Sequence, residues 1–294
     1  MAKIKFITDS AADIPKSYAS AKNVDVLPFH IYFRDNKIDQ NQYLDGIDID
    51  LDTLYETVKK GGGSPNSSQV TAFEIDNHLR TLVAKNEYDT YIFTTISSTG
   101  SPVYNNIISV IDGIKKDGIE FDIRVIDSQH YTVCYYFAIK GGIEAYEAGA
   151  NADEIHDIIK RRAQSTNIYL VAESLEYLKR GGRIKGASAA LGTLLDIKPI
   201  LNVHEGLVNP YDKIRGMKKA LNRIIEIVKK ETESGGYMYS IVYSTETESL
   251  AAFVEMVKEE FPDSPIFYQR VGTTIGVHIG PGLIGLMFQK DLKY

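Results

Sequence analysis

In the first half of the chain, short hydroxyl and carboxyl side chains gather at the downstream ends of apolar runs. Thr8-Asp9-Ser10 closes one run, Ser97-Ser98-Thr99-Gly100-Ser101 another and Asp127-Ser128 a third, and the polar stretch Ser64-Pro65-Asn66-Ser67-Ser68-Gln69 lies between them. If the runs are parallel strands, these ends share the rim on which open α/β sheets bind ligands. Taken singly, each such residue reads best as a helix cap. Together, several hydroxyls and free helix N-terminal amides turned into one crevice make a donor-rich site for an anion. The second half adds charge in Lys179-Arg180-Gly181-Gly182-Arg183-Ile184-Lys185. Lys179, Arg180 and Lys185 read as a solvated basic loop. Arg183, between a glycine pair and Ile184, is the one placed to turn inward at a carboxylate or phosphate. His278, within Gly276-Val277-His278-Ile279-Gly280, is either a structural imidazole or a further donor to that anion.

Other chemistry finds little support. No G-x-x-x-x-G-K-[ST] loop for a nucleoside triphosphate occurs. Gly280-Pro281-Gly282-Leu283-Ile284-Gly285 matches G-x-G-x-x-G, but only nine residues follow it, too few for a dinucleotide-binding unit. The nearest approach to a nucleophile elbow, Gly186-Ala187-Ser188-Ala189-Ala190, lacks the second glycine and follows no strand. There is no H-E-x-x-H and no close histidine pair, so no metal is expected. Cys134, the single cysteine, sits among apolar residues and reads as a small buried hydrophobe in a reducing cytoplasm.

These residues need a scaffold. The 294-residue chain is 44% hydrophobic with a formal charge of −6. Such a composition suits a soluble globular protein and disfavours nucleic acid as a partner. No apolar run approaches the roughly 18 residues of a membrane span, and the first residues read as a strand rather than a secretory signal. Strands are expected over 4–7, 24–33, 91–96 and 123–126, and helices over 12–22, 51–60, 71–86, 102–116 and 131–149. Thr71 and Glu74 are spaced as a capping box. This β-α-β-α alternation implies a mostly parallel sheet. Beyond a boundary near 150–167 the pattern changes. Helices are expected over 152–163, 175–179, 187–192, 213–231 and 249–261, and strands over 168–172, 199–203, 238–243, 266–269 and 285–288. The segments 64–69 and 204–206 read as a loop and a turn, and 280–285 reads as a glycine turn with His278 just before it.

Taken in order, Thr8-Asp9-Ser10, Ser67-Ser68-Gln69, Ser97-Ser98-x-x-Ser101, Asp127-Ser128, Tyr177-Leu178-Lys179-Arg180-Gly181-Gly182-Arg183-Ile184, Ile197-Lys198-Pro199-Ile200 and His278-x-Gly280-Pro281-Gly282 resemble the DegV family of bacterial fatty-acid-binding proteins, over about residues 4–288. Each motif is short, and jointly they are specific. Ser67 stands where the family usually has Thr, Val70 where it has Pro, and Ser101-Pro102 where it has Ser-Gly. The 129–132 loop lacks the family's glycine-rich run.

The resemblance implies two α/β domains. One is an N-terminal domain, 1–163, with a mostly parallel Rossmann-like sheet. The other is a C-terminal domain, 164–294, whose mixed sheet encloses a lipid tunnel; the apolar segments 187–195 and 197–203 are suited by composition to line it. It implies a long-chain fatty acid as ligand, its carboxylate held by Ser67, Ser101, Arg183 and His278, with Ser68, Ser97, Ser98, Asp9 and Ser10 as further pocket residues. It also implies a non-catalytic role, presenting that carboxylate to the catalytic subunit of a fatty acid kinase, with Arg215 at the docking surface. No cofactor is expected, since ATP and magnesium would come with the kinase, and membrane contact would be transient. Two alternatives stay open: an enzyme of the same fold acting on a small anionic substrate, and a lipid-responsive regulatory protein.

Overall fold

The computed structural model describes residues 2–34, 42–174, 176–184 and 197–290. Seven strands form in the first half: Ile4–Asp9 (β1), Val24–Leu27 (β2), His30–Arg34 (β3), Tyr43–Leu44 (β4), Ser64–Ser68 (β5), Thr90–Thr95 (β6) and Ile123–Asp127 (β7). Four of them make a parallel sheet in the order β2-β1-β6-β7. Every residue of β1 and β6 is buried, as parallel strands covered on both faces require. Lys5 is accommodated in β1 because its Nζ reaches Asp25 at 2.6 Å and donates to the Asn23 side chain at 2.7 Å, so the buried ammonium is paired. The helix Ala72–Lys85 starts as its residues dictate. Thr71 Oγ1 accepts from Glu74 N at 3.2 Å, and the Glu74 carboxylate accepts from Thr71 N at 2.8 Å.

The second half adds Thr166–Val171 (β8), Ile197–His204 (β9), Leu207–Arg215 (β10), Tyr237–Tyr243 (β11), Ile266–Arg270 (β12) and Ile284–Lys290 (β13). These build a separate mixed sheet in the order β10-β9-β8-β13-β11-β12, in which the β11–β12 pair is parallel. Side chains alternate across each strand, and here the alternation sorts two cores. Tyr169, Val171, Ile200, Ile241 and Leu286 pack with the helices Met217–Glu231 and Glu248–Glu260. Ile168, Leu170, Leu201, Val203 and Val242 face the other way, into a core continuous with the first half.

Several expected elements are corrected. The expected strand over 24–33 is two strands in different sheets, because Pro28 ends β2 and the chain turns before β3. The expected helix over 12–22 begins only at Lys16, after a 3-10 turn at Ser10–Ala12, since Pro15 disfavours helical geometry in the residue before it. The polar segment 64–69 is largely strand: β5 pairs antiparallel with β3 in a small sheet ordered β4-β3-β5. Its residues have poor strand propensity, and the partner strand overrides that. Residues 213–215 belong to β10, and the helix begins at Met217, after Gly216. The residues before the expected glycine turn form the helix Thr273–Ile279, for which no element was expected. The expected helix over 187–192 and the tunnel lining over 187–195 lie outside the described residues.

Candidate functional site

Between the two sheets lies a cavity of about 310 Å³. Its walls are mainly apolar and come from that second face of the six-stranded sheet: Ile168 and Leu170 of β8, Val203 of β9, Val208 of β10 and Val242 of β11. Its polar groups come from both halves of the chain and include Ser67, Ser68, Gln69, Ser101, Arg183 and His278. Ser68 and Pro102 are exposed where they border it, so the polar side meets the surface.

Three elements bring Ser67, Arg183 and His278 together. β5 carries Ser67, opposite Ile31 of β3. The helix Thr273–Ile279 carries His278 and is anchored on the first half, because the Asp45 carboxylate accepts from Thr273 N at 3.2 Å and from the Thr273 and Thr274 hydroxyls. Ser67 Oγ and His278 Nε2 then lie 2.8 Å apart, although 211 positions separate them. When Nε2 holds the proton and donates, the Ser67 hydroxyl hydrogen is free for a ligand oxygen. Arg183 follows the helix Glu176–Gly181. It donates from Nε to the Gly100 carbonyl at 3.4 Å and from Nη1 to the Gly181 carbonyl. Of its five N–H groups, that leaves the remainder available, and among the described residues no carboxylate forms an ion pair with it. Ser101 is buried, and its Oγ accepts from Val103 N at 3.4 Å, which leaves its own hydrogen to donate.

A half-buried cation without a counterion beside three neutral donors is an arrangement that favours an anion. Burial first, and the Arg183 charge second, bring the His278 pKa down from 6.5 to about 4. The imidazole is therefore neutral at pH 7 and acts as a hydrogen-bonding group, with Arg183 supplying the charge. His130 is likewise pushed to about 4 by burial. Between about 4 and 6.5 the unfolded chain binds protons that these two folded-state imidazoles refuse, so their contribution to stability is intact above that window and is lost as pH falls through it. Asp9, raised by burial to about 6, has the opposite sign: its contribution is present at low pH and declines as pH rises through about 6. A His278→Asn variant separates the two effects. In ligand-free protein its melting temperature should fall less on acidification from about pH 6.5 toward 4 than that of the parent; parallel melting curves would contradict a neutral buried His278.

The other expected pocket residues divide. Ser68 borders the cavity; Asp9, Ser10, Ser97 and Ser98 do not. The Asp9 carboxylate accepts from Ala11 N, Ile96 N and Tyr135 OH, at 3.1, 2.9 and 2.7 Å. Ser10 Oγ donates to Asp45 at 2.8 Å and accepts from Phe29 N at 3.0 Å. Ser98 is held by the Asp127 carboxylate through its amide at 3.0 Å and its hydroxyl at 2.5 Å, and Ser97 Oγ donates to the Gly206 carbonyl at 2.8 Å. These are the capping and loop-bracing roles that such residues have taken singly. Arg215 is exposed at the end of β10. Two contributors carried no usable signal in the sequence: Asp45, which seats the His278 helix, and Tyr131, which lines the cavity. Gln69, quoted above only as part of a motif, is also a lining residue, and its buried Oε1 has no hydrogen-bond partner among the described residues.

The geometry defines a mixed α/β protein in which a parallel sheet and a separate mixed sheet flank an apolar cavity with a cationic, hydroxyl-bearing polar side. The chain belongs to the DegV family: the family model "Uncharacterised protein, DegV family" matches residues 3–291. A DegV domain-containing protein of Clostridium perfringens is 30% identical over 289 residues, covering 98% of this chain and 99% of that protein. Protein DegV of Bacillus subtilis is 29% identical over 290 residues, covering 96% and 98%. Among solved structures, DegV of Bacillus subtilis, a fatty acid binding protein, superposes with a TM-score of 0.85 at 26% identity over 99% of this chain and 100% of that one. A stearic-acid-binding protein of Eubacterium ventriosum does so at 0.87 and 26%, over 99% of each chain. A fatty-acid-binding DegV family protein of Thermus thermophilus gives 0.87 and 26%, over 98% and 99%.

Proposed function

We propose that this protein binds one long-chain fatty acid, with the acyl chain in the cavity and the carboxylate among Ser67, Ser101, Arg183 and His278. The observation that carries the proposal is the pairing of an apolar cavity with the Arg183 guanidinium at its polar side, which forms no ion pair among the described residues. The cavity of about 310 Å³ lies within the usual range for small-molecule sites, about 300–1,000 Å³. Burying about 14 methylenes at about 0.8 kcal/mol each contributes on the order of 11 kcal/mol before ordering costs. The carboxylate cannot follow the chain inside without donors and a cation, and this side supplies both. The fatty-acid-binding relatives described above support the same ligand.

The finer part of the proposal is that the bound acid is presented to a separate ATP-dependent kinase, which forms the acyl phosphate, with Arg215 on the docking surface. Exposure of Ser68 and Pro102 beside the head group favours presentation rather than sequestration. The sequence contains no phosphate loop of its own with which to hold ATP. The division into 1–163 and 164–294 belongs to the same proposal. It falls at the end of the helix Ala152–Gln164, before β8 opens the mixed sheet at Thr166. A cytoplasmic site suits the single, buried Cys134.

Native mass spectrometry of the purified protein should show a bound fatty acid, and the delipidated protein should take up palmitate or oleate. A protein that is empty and refuses both would end the proposal. The pair Ser67→Ala and Ser101→Ala should weaken acid binding at least tenfold, since each hydrogen bond to a charged group contributes about 1.5–3 kcal/mol. Fatty alcohol binding should change much less; equal losses would contradict the head-group assignment.

A further inference from the structure

β9 and β10 are joined by a two-residue loop, Glu205-Gly206. His204 pairs with Leu207 across it, and the loop residues have φ of 51° and 74°. That is type I′ hairpin geometry, which favours glycine at the second position. The loop rests on the first half of the chain. Ser97 Oγ at 2.8 Å, Thr99 Oγ1 at 2.6 Å and Tyr131 OH at 2.8 Å all converge on the Gly206 carbonyl. A carbonyl oxygen has two lone pairs, so three hydroxyls crowd it. A Cβ at position 206 would overlap Ser97 Oγ and Thr99 Oγ1; only glycine lets the backbone come this close.

The loop's position gives this contact its meaning. Val203 and Val208 lie on either side of the loop and line the cavity, as do Gly100, Ser101 and Tyr131 from the facing segment. The hairpin is therefore one wall, and the segment beginning at Ser97 meets it. β10 is an edge strand of the six-stranded sheet, so the hairpin tip is joined to the first half through side-chain hydroxyls rather than a strand ladder. The apolar lining residues are buried, and the seam between this wall and the facing segment is held by groups that water can replace.

We propose that the Gly206 carbonyl and the Ser97, Thr99 and Tyr131 hydroxyls form a clasp that positions the β9–β10 wall and sets the rate at which the cavity exchanges its acyl ligand. Ser97 and Thr99 are positioning residues, since neither borders the cavity. The inference rests on the fatty acid reading above for the identity of the ligand.

The test uses the full chain carrying Ser97→Ala and Thr99→Val, loaded with a fluorescent polyene fatty acid and displaced by excess oleate in stopped flow. Losing two neutral hydrogen bonds should speed dissociation roughly tenfold or more. Association should speed up as well, so that Kd changes less than either rate, and the preference for acid over alcohol should persist. Amide hydrogen exchange in β9 and β10 of the ligand-free variant should also accelerate. Exchange rates within twofold of the parent would overturn the clasp. Loss of the acid preference would overturn it too, by making Ser97 or Thr99 a head-group residue. If the double variant does not fold, Tyr131→Phe, which removes one oxygen, should give a smaller acceleration of the same sign, and no acceleration there would also count against the clasp. If neither parent nor variant binds a fatty acid, the ligand reading fails, while the amide exchange still decides whether the three hydroxyls hold the wall.

Discussion

Arg183→Met should lower affinity for a long-chain fatty acid at least a hundredfold while leaving affinity for the alcohol of the same length within a few-fold. Methionine keeps an apolar stem against the cavity and removes the guanidinium. Truncating one partner of a buried, hydrogen-bonded charge pair costs about 2–5 kcal/mol, and a hundredfold in Kd corresponds to about 2.7 kcal/mol. The alcohol brings no charge and needs only the hydroxyl and imidazole partners. The variant should also acquire a pH dependence that the parent lacks. The Arg183 charge is one of the two causes holding the His278 pKa near 4. Without it the imidazole, still held below 6.5 by burial, protonates more readily and can supply the missing positive charge, so acid binding by Arg183→Met should partly recover as pH is lowered below about 6.5. Titration calorimetry with the acid and the alcohol at several pH values reads all of this. Equal losses for both ligands would show that Arg183 braces the wall through Gly100 and Gly181 and does not hold the carboxylate.

Val242→Phe should act on the tail and spare the head. Val242 is fully buried, sits on β11 and lines the cavity, and β11 carries none of the proposed head-group residues. A phenyl ring there takes up the space of roughly three to four methylenes, each contributing about 0.8 kcal/mol. Affinity for an eighteen-carbon acid should therefore fall about a hundredfold, with little change for a ten-carbon acid. Because the ring fills existing space, the ligand-free protein should melt no lower than the parent, unlike a valine enlarged in a close-packed core. A chain-length series with melting curves checks both parts. A variant that binds every length as the parent does would place the acyl chain somewhere other than along β11.

How much of this was readable beforehand differs between elements. The helix starting at Ala72 was legible because its capping box is a local device, complete within four residues. The buried strands β1 and β6 were legible because short, β-branched and aromatic apolar segments ending in turn-forming polar residues have few other uses, even with Lys5 inside the first. β5 was not, since Ser-Pro-Asn-Ser-Ser has no strand pattern of its own and pairs only because β3 lies beside it. β10 was hidden by the charged residues that its exposed edge tolerates. The helix Thr273–Ile279 was hidden by its flanking glycines, and what seats it is a carboxylate at position 45, far away in the sequence.

Residue types and local spacing by themselves suggested the kind of chemistry, hydroxyl donors with one inward guanidinium, and with the ordered motifs they determined the family. The tertiary structure alone decided which of many similar hydroxyls border the cavity. Ser67 and Ser101 reach the cavity, while Asp9, Ser10, Ser97 and Ser98, equally suitable by type, are taken up by neighbouring amides, hydroxyls, carboxylates and a carbonyl. The reason is physical: a serine's availability depends on what packs within about 3 Å of its oxygen, and in this chain those partners come from up to 211 positions away, where no local pattern records them.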